Sequence, residues 1–197
     1  MNCRRYLAAA AAAAMCLLPG TVIGQVGYPQ PTIADRDPGQ DSNGKFVLPY
    51  EYQKQAVFYR TTEAPGTIIV NTHDRFLYLV QGDNRAIRYG VGVGRDGFQW
   101  GGVHKITRKQ EWPDWTPPPE MIQRQPYLPR FMAGGPGNPM GARAMYIGTT
   151  VYRVHGTNAP ETIGHSVSSG CFRLVNSEIE DLYARVQVGT KIVVQHR

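Results

Sequence analysis

Two nearby segments carry the residue types needed for nucleophilic acyl transfer. One contains His155, and the other ends a Ser-Ser-Gly run at Cys171. A thiol attacks as its thiolate, and a free cysteine is mostly protonated at neutral pH, so Cys171 needs a base nearby. A thiolate and an imidazolium also stabilise each other, which would lower the pKa of the thiol. The sequence therefore predicts Cys171 as the nucleophile and His155 as its general base.

The residues that flank Cys171 are suited to handling charge. If a strand follows the turn, Cys171 and Arg173 point to one face and Phe172 points to the other. Arg173 would then hold the thiolate, orient a loop or bind a substrate carboxylate, and a structural ion pair is the alternative. Gly170 either presents backbone N–H groups to an oxyanion or is required only by the turn.

A proline-rich block contains two tryptophans, Trp112 and Trp115. It covers residues 111–121 and includes three consecutive prolines, which exclude a central strand or a helix interior. A second irregular segment, rich in glycine and proline, covers residues 134–141. Long loops in compact domains often bind substrate, so both tryptophans are candidate substrate contacts. Packing of the two rings within the loop is the alternative.

The elements that must position these residues are mostly strands. Runs of β-branched and aromatic residues predict strands at 67–71, 76–80, 86–93, 144–147, 151–155 and 191–195. One helix is predicted near Ser177, which forms a capping box with Glu180. Glycines in residues 92–97 have the spacing of a dinucleotide-binding loop, but no helix pattern follows them, so they are predicted to form turns.

The start of the chain differs from the rest. Residues 1–24 combine Arg4 and Arg5 with an apolar, alanine-rich run, which is the layout of a secretory signal peptide. The run is shorter than the roughly 20 residues that span a bilayer. We therefore predict export to the periplasm, with no stable membrane span after signal removal. Residues 25–60 are predicted to be a polar Pro/Gly-rich linker, and residues 61–197 the catalytic domain.

Signal removal would change the cysteine and charge counts. Cys3 and Cys16 lie in the signal, so Cys171 would be the one remaining thiol, either buried and inert or kept for chemistry. Two of the 21 Lys+Arg and none of the 15 Asp+Glu would be lost, which leaves 19 minus 15, or +4. This modest basic excess suits an anionic wall or membrane surface, and without a dense basic run we expect no nucleic-acid partner.

The segments around His155 and Cys171 resemble the L,D-transpeptidases with a YkuD-type catalytic domain. The family pattern is His followed by Gly or Ser, then Ser/Thr-His-Gly-Cys, an apolar residue and Arg or Asn. This chain supplies His155-Gly156 and then Ser168-Ser169-Gly170-Cys171-Phe172-Arg173. Ser169 replaces the usual second His, which is not normally assigned as the base. The likeness covers roughly residues 67–196.

The resemblance implies both a fold and a reaction. The fold would be mostly β, a mixed β-sandwich with one or two short helices and a long Trp/Pro-rich loop. Cys171 would attack the third residue of a peptidoglycan tetrapeptide stem, expel the terminal D-alanine and form a thioester, and an amine of a second stem would complete a 3–3 cross-link. No metal or cofactor would be required.

The resemblance also assigns supporting roles. The carbonyl of Gly156 would hold the imidazole, and the N–H groups of Gly170 and Cys171 would line the oxyanion hole. Ser169 is grouped with the catalytic residues. Ser168 is grouped with the residues that bind substrate, together with Arg173, Trp112 and Trp115.

Three alternatives stay open on sequence grounds. Water as acceptor would make the protein an L,D-carboxypeptidase, and a protein amine would make it an enzyme that attaches outer-membrane proteins to peptidoglycan. The non-enzymatic alternative is a wall-binding module that has lost catalysis. We predict the peptidoglycan stem peptide as the partner in the favoured case.

Overall fold

The computed structural model describes residues 46–196. The predicted signal peptide, and the linker prediction for residues 25–45, lie outside the described residues. The strands are β1 (Gln55–Phe58), β2 (Ile68–Asn71), β3 (Phe76–Gly82), β4 (Arg85–Gly90), β5 (Val93–Gly94), β6 (Gly102–Glu111), β7 (Arg143–Ile147), β8 (Arg153–His155), β9 (Ser166–Ser168), β10 (Phe172–Arg173) and β11 (Lys191–Gln195). The α-helices are α1 (Pro119–Arg124) and α2 (Asn176–Arg185), and short 3-10 turns cover Tyr50–Tyr52 and Pro160–Thr162.

Nine of the strands form one mixed sheet. Its order is β1-β4-β3-β2-β11-β6-β7-β8-β10, and β5 pairs separately with β9. Within the large sheet the pairs β2–β11 and β8–β10 are parallel, whereas the other pairs are antiparallel. Gly92, just after β4, exchanges two backbone hydrogen bonds of 2.9 Å with Arg173 of β10. The chain after β4 is therefore tied to the far edge of the sheet.

Both ends of the sheet bury side chains in one hydrophobic core. Residues of β2, β3 and β4 share a single cluster with residues of β7, β8, β10 and α2, including Ile68, Leu77, Tyr89, Met145, Val154, Phe172, Ile179 and Leu182. Burying apolar surface on both halves stabilises them against each other. The predicted fold class, a mostly β domain with a mixed sheet and short helices, is confirmed. No helix within residues 46–196 is long and apolar enough to cross a bilayer.

Three strands, β1, β6 and the short β9, lie where none was predicted. Ile106 is the single buried residue of β6. The other side chains of this strand are partly or fully exposed, so its sequence shows no alternation of apolar and polar residues. β1 lies within the predicted linker and pairs with β4, although Phe58 at its end is largely exposed. β1 has only four residues, none of them buried, and lies at the edge of the sheet, so the sequence gives little pattern from which to predict it. The predicted boundary at residue 61 is therefore wrong, and residues 46–60 belong to the folded domain.

Helix α2 begins one residue before the predicted start. It begins at Asn176 after Val175, and no side chain caps its first turn by a hydrogen bond. The predicted capping box of Ser177 and Glu180 is therefore wrong. The apolar face that predicted this helix is correct, since Ile179 is fully buried against the core.

Candidate active site

The pairing of β8 with β10 gathers the predicted catalytic residues on one face. The two strands run parallel, with Arg173 opposite His155. Neighbouring residues of a strand point to opposite faces, and the intervening residues of both strands lie in the core. Arg153 and Cys171 therefore share the outer face with His155 and Arg173. All four line one cavity of about 290 Å³.

The imidazole of His155 is buried and held by the backbone. Its Nδ1 lies 2.6 Å from the carbonyl oxygen of Gly156, which can only accept, so Nδ1 carries the proton. Nε2 is then the acceptor nitrogen. Burial, followed by the positive charge of Arg173, lowers the pKa of His155 to about 3. The ring is therefore a neutral base at neutral pH.

The thiol of Cys171 is also neutral at rest. Burial raises its pKa, although hydrogen bonding from Arg153 and the charges of Arg153 and Arg173 act in the opposite direction. The expected lowering of the thiol pKa is therefore wrong in direction, because loss of water around the thiolate outweighs these contacts. Since both groups are neutral, proton transfer to the imidazole would accompany attack by the sulfur.

The turn before Cys171 is fixed by hydrogen bonds and by packing. Ser168 Oγ donates to the carbonyl of Cys171 at 2.6 Å and accepts from the N–H of Gly170 at 3.1 Å. Trp100 Nε1 donates to the carbonyl of Gly170 at 2.7 Å. Gly170 has φ of 106°, and an added Cβ would lie 2.3 Å from the ring of Tyr152, so glycine is required there.

These contacts bear on two sequence predictions. Ser168 is 1% exposed and its hydroxyl is used within the turn, which favours a structural role over substrate binding. The N–H of Gly170 is taken by Ser168, so it is not free to bind an oxyanion. The N–H of Cys171 is the remaining predicted donor at this place.

The other predicted residues divide between the cavity and its surroundings. Ser169 and Trp115 line the cavity, whereas Trp112 is not among its lining residues and is 40% exposed. The position of Trp112 therefore gives no support to substrate contact. Ser169 Oγ lies 3.5 Å from Nη2 of Arg124, the last residue of α1. His165, the other histidine near the nucleophile, is exposed and lies outside the cavity lining.

Sequence reasoning missed two residues that act on the site. Arg153 shares a strand face with His155, a two-residue period that the sequence could have revealed. Asn176 Oδ1 accepts the N–H groups of Ala142 at 3.0 Å and Thr157 at 3.2 Å. An asparagine at the start of a helix normally indicates a cap, so the sequence gave no signal that Asn176 binds these two backbone N–H groups.

No metal centre accompanies these residues in the part of the chain that the structure describes. Residues 46–196 contain no group of three His, Cys, Asp or Glu arranged to hold a metal ion. A thiol and an imidazole on one cavity wall suit acyl transfer through a covalent intermediate.

Comparison with known proteins identifies the family. Residues 65–194 match the YkuD L,D-transpeptidase catalytic domain. The probable L,D-transpeptidase ErfK/SrfK of Escherichia coli K12 is 36% identical over 188 residues, which cover 88% of this chain and 58% of that protein. This chain belongs to the L,D-transpeptidase family with a YkuD-type catalytic domain. It spans 58% and 47% of the length of the first two curated relatives, about half of each.

Solved structures share the fold. An L,D-transpeptidase from Mycobacterium smegmatis is 17% identical, with a TM-score of 0.52 over 66% of this chain and 58% of that one. A chain from Brucella melitensis is 46% identical, with a TM-score of 0.50 over 74% of this chain and 94% of that one. It is described as a probable carnitine operon oxidoreductase. Here the glycine-rich residues 92–97 lead into β6 and not into a helix, which gives no support to dinucleotide binding.

Proposed function

We propose that this protein is a peptidoglycan L,D-transpeptidase that forms 3–3 cross-links through a thioester on Cys171. The observation that carries the proposal is the 2.6 Å contact between His155 Nδ1 and the Gly156 carbonyl, on the same cavity wall as Cys171. It leaves Nε2 as a proton acceptor in the same cavity as the thiol. Membership of the L,D-transpeptidase family supports this class of reaction.

Acylation follows from the neutral resting state. Cys171 Sγ attacks the carbonyl carbon of the third stem residue while the thiol proton passes to His155 Nε2. The N–H of Cys171 stabilises the oxyanion that forms. Collapse of this intermediate breaks the bond to D-alanine, and the imidazolium returns the proton to the leaving amine. A thioester on Cys171 remains.

The second half of the reaction uses the same groups in reverse. The side-chain amine of a second stem attacks the thioester carbonyl and gives a proton to His155. The sulfur then leaves and takes that proton, which restores the thiol. Water or an amine of an outer-membrane protein could resolve the same thioester, so carboxypeptidase or protein-anchoring activity is the second candidate. Peptidoglycan lies outside the cytoplasmic membrane, so the proposal includes export to the periplasm by the predicted signal peptide.

Mass spectrometry with a disaccharide-tetrapeptide tests the proposal. The purified protein should gain the mass of the stem without D-alanine on Cys171 and should produce 3–3 linked dimers. Cys171→Ala should abolish both products, and a fold measurement by circular dichroism serves as its control. Loss of D-alanine without dimers would indicate that water or a protein amine, and not a second stem, is the acceptor. Unchanged stems with a folded wild-type protein would refute the transpeptidase and favour the binding module.

A further inference from the structure

The cavity around Cys171 is strongly basic and has no acidic lining residue. Four arginines line it: Arg95, Arg124, Arg153 and Arg173. A guanidinium stays charged in proteins and presents five N–H donors. A cavity with four such groups and no lining carboxylate is suited to an anionic ligand.

These arginines also lack the carboxylate partners that others in the domain have. Arg143 lies 3.3 Å from Glu111, and Arg185 lies 3.0 Å from Asp181. Within residues 46–196, none of the four cavity arginines forms a salt bridge. Their charges are therefore available to a substrate.

The hydrogen bonds of the cavity arginines leave most donors unused. Arg153 donates a bond of 2.9 Å to the carbonyl of Val151 and also hydrogen-bonds to Cys171, and Arg124 makes one long contact with Ser169. The Nε of Arg173 is buried without an acceptor among the described residues. Buried donors without acceptors are costly, so a ligand that supplies oxygen atoms would be bound favourably.

Two of the arginines, Arg95 and Arg124, lie against the same aromatic ring. Arg95 follows β5 and Arg124 ends α1, and their guanidinium carbons lie 4.6 and 5.0 Å from the ring centroid of Phe98. One aromatic ring thus attracts two guanidinium groups to the same part of the cavity. An anion bound in this part of the cavity would be attracted by both positive charges.

We propose that Arg95 and Arg124 bind a free carboxylate of the stem peptide and select unmodified stems over amidated ones. This inference rests on the proposed function and adds a specificity to it. A carboxylate offers a negative charge and two acceptor oxygens to the guanidinium pair. A carboxamide has no charge and only one such oxygen, so its binding is weaker.

Three tetrapeptide stems test this specificity. One carries all its carboxyl groups free, one is amidated at the second residue and one at the side-chain carboxyl of the third. In the wild-type protein we expect one of the amides to lower kcat/KM for D-alanine release about tenfold, the value of one charge-assisted hydrogen bond. In the Arg95→Gln/Arg124→Gln variant the ratio between free and amidated stems should fall to about one.

A matched control separates this role from general electrostatics. Arg130 follows α1 but does not line the cavity, so Arg130→Gln should keep the wild-type ratio. The inference is overturned if the wild-type protein has equal kcat/KM for all three stems, or if the double variant keeps the wild-type ratio. In either case the release of D-alanine would still support the proposed function. If no stem reacts, the proposed function fails. Calorimetric titration of the three stems then decides the inference, since tighter binding of the free acid upholds it and equal or absent binding overturns it.

Discussion

Replacing Asn176 with leucine tests how the fold holds the imidazole of His155. Asn176 Oδ1 accepts the N–H of Thr157, which belongs to the same planar peptide group as the Gly156 carbonyl. That carbonyl in turn accepts from His155 Nδ1. One side-chain oxygen on α2 therefore fixes the plane that orients the base.

The expected loss of stability follows from the two backbone N–H donors that leucine would leave without an acceptor. Ala142 is 1% exposed and Thr157 is 3% exposed, so water has little access to either N–H. Each orphaned buried donor costs about 1–3 kcal/mol, so Asn176→Leu should lower the free energy of unfolding by about 2–6 kcal/mol. Release of the Gly156 peptide plane should also lower kcat by about 10- to 100-fold, because misplaced catalytic groups lose that much rate.

Asn176→Asp is the matched control. It keeps an oxygen acceptor for both N–H groups and places a negative charge at the start of a helix, which is favourable. We expect its unfolding free energy within about 1 kcal/mol of wild type and most of its kcat retained. Urea unfolding gives the stability, and D-alanine release gives kcat and KM. If Asn176→Leu loses stability but keeps its kcat in the folded fraction, the positioning argument is wrong and the residue is structural only.

Two further predictions concern pH. The pKa of His155 is lowered to about 3, so kcat/KM for D-alanine release should not decline as the pH falls through 6.5. Because burial raises the pKa of Cys171, its alkylation by iodoacetamide should stay slow through neutral pH. A decline of kcat/KM at pH 6.5, or rapid alkylation below neutrality, would contradict a neutral thiol and imidazole. Burial raises the pKa of Glu178 from 4.5 to about 7, so its carboxyl holds a proton more tightly in the folded state and stability should fall as pH rises from about 4.5 to 7. Glu178→Gln should therefore raise the unfolding free energy at pH 8 by about 1–3 kcal/mol and change it little at pH 4, which urea unfolding at both values measures. Equal effects at the two pH values would rule out this charge as the cause.

Local pattern was sufficient for several elements of the fold. The strands at β2, β3, β7 and β11 were predicted because β-branched residues bounded by turn residues signal a strand without knowledge of its partners. β6 was missed because its one buried residue, Ile106, gives no alternation to detect. Its place between β11 and β7 is decided by pairing with strands distant in sequence.

The sequence by itself determined which residue types were available for chemistry. A lone thiol beyond the predicted signal, a histidine shortly before it, and an arginine two residues after it already indicated acyl transfer. The alternation of a strand was enough to put Cys171 and Arg173 on one face, and the structure has them line one cavity.

Tertiary structure alone decided how those groups behave. Parallel pairing of β8 with β10 brings Arg153 beside Cys171, and burial then raises the pKa of the thiol in place of the expected lowering. The oxygen of Asn176 reaches across from α2 to fix the Gly156 peptide plane. Desolvation and contacts of this kind depend on neighbours that are far apart along the chain, which is why no local pattern could reveal them.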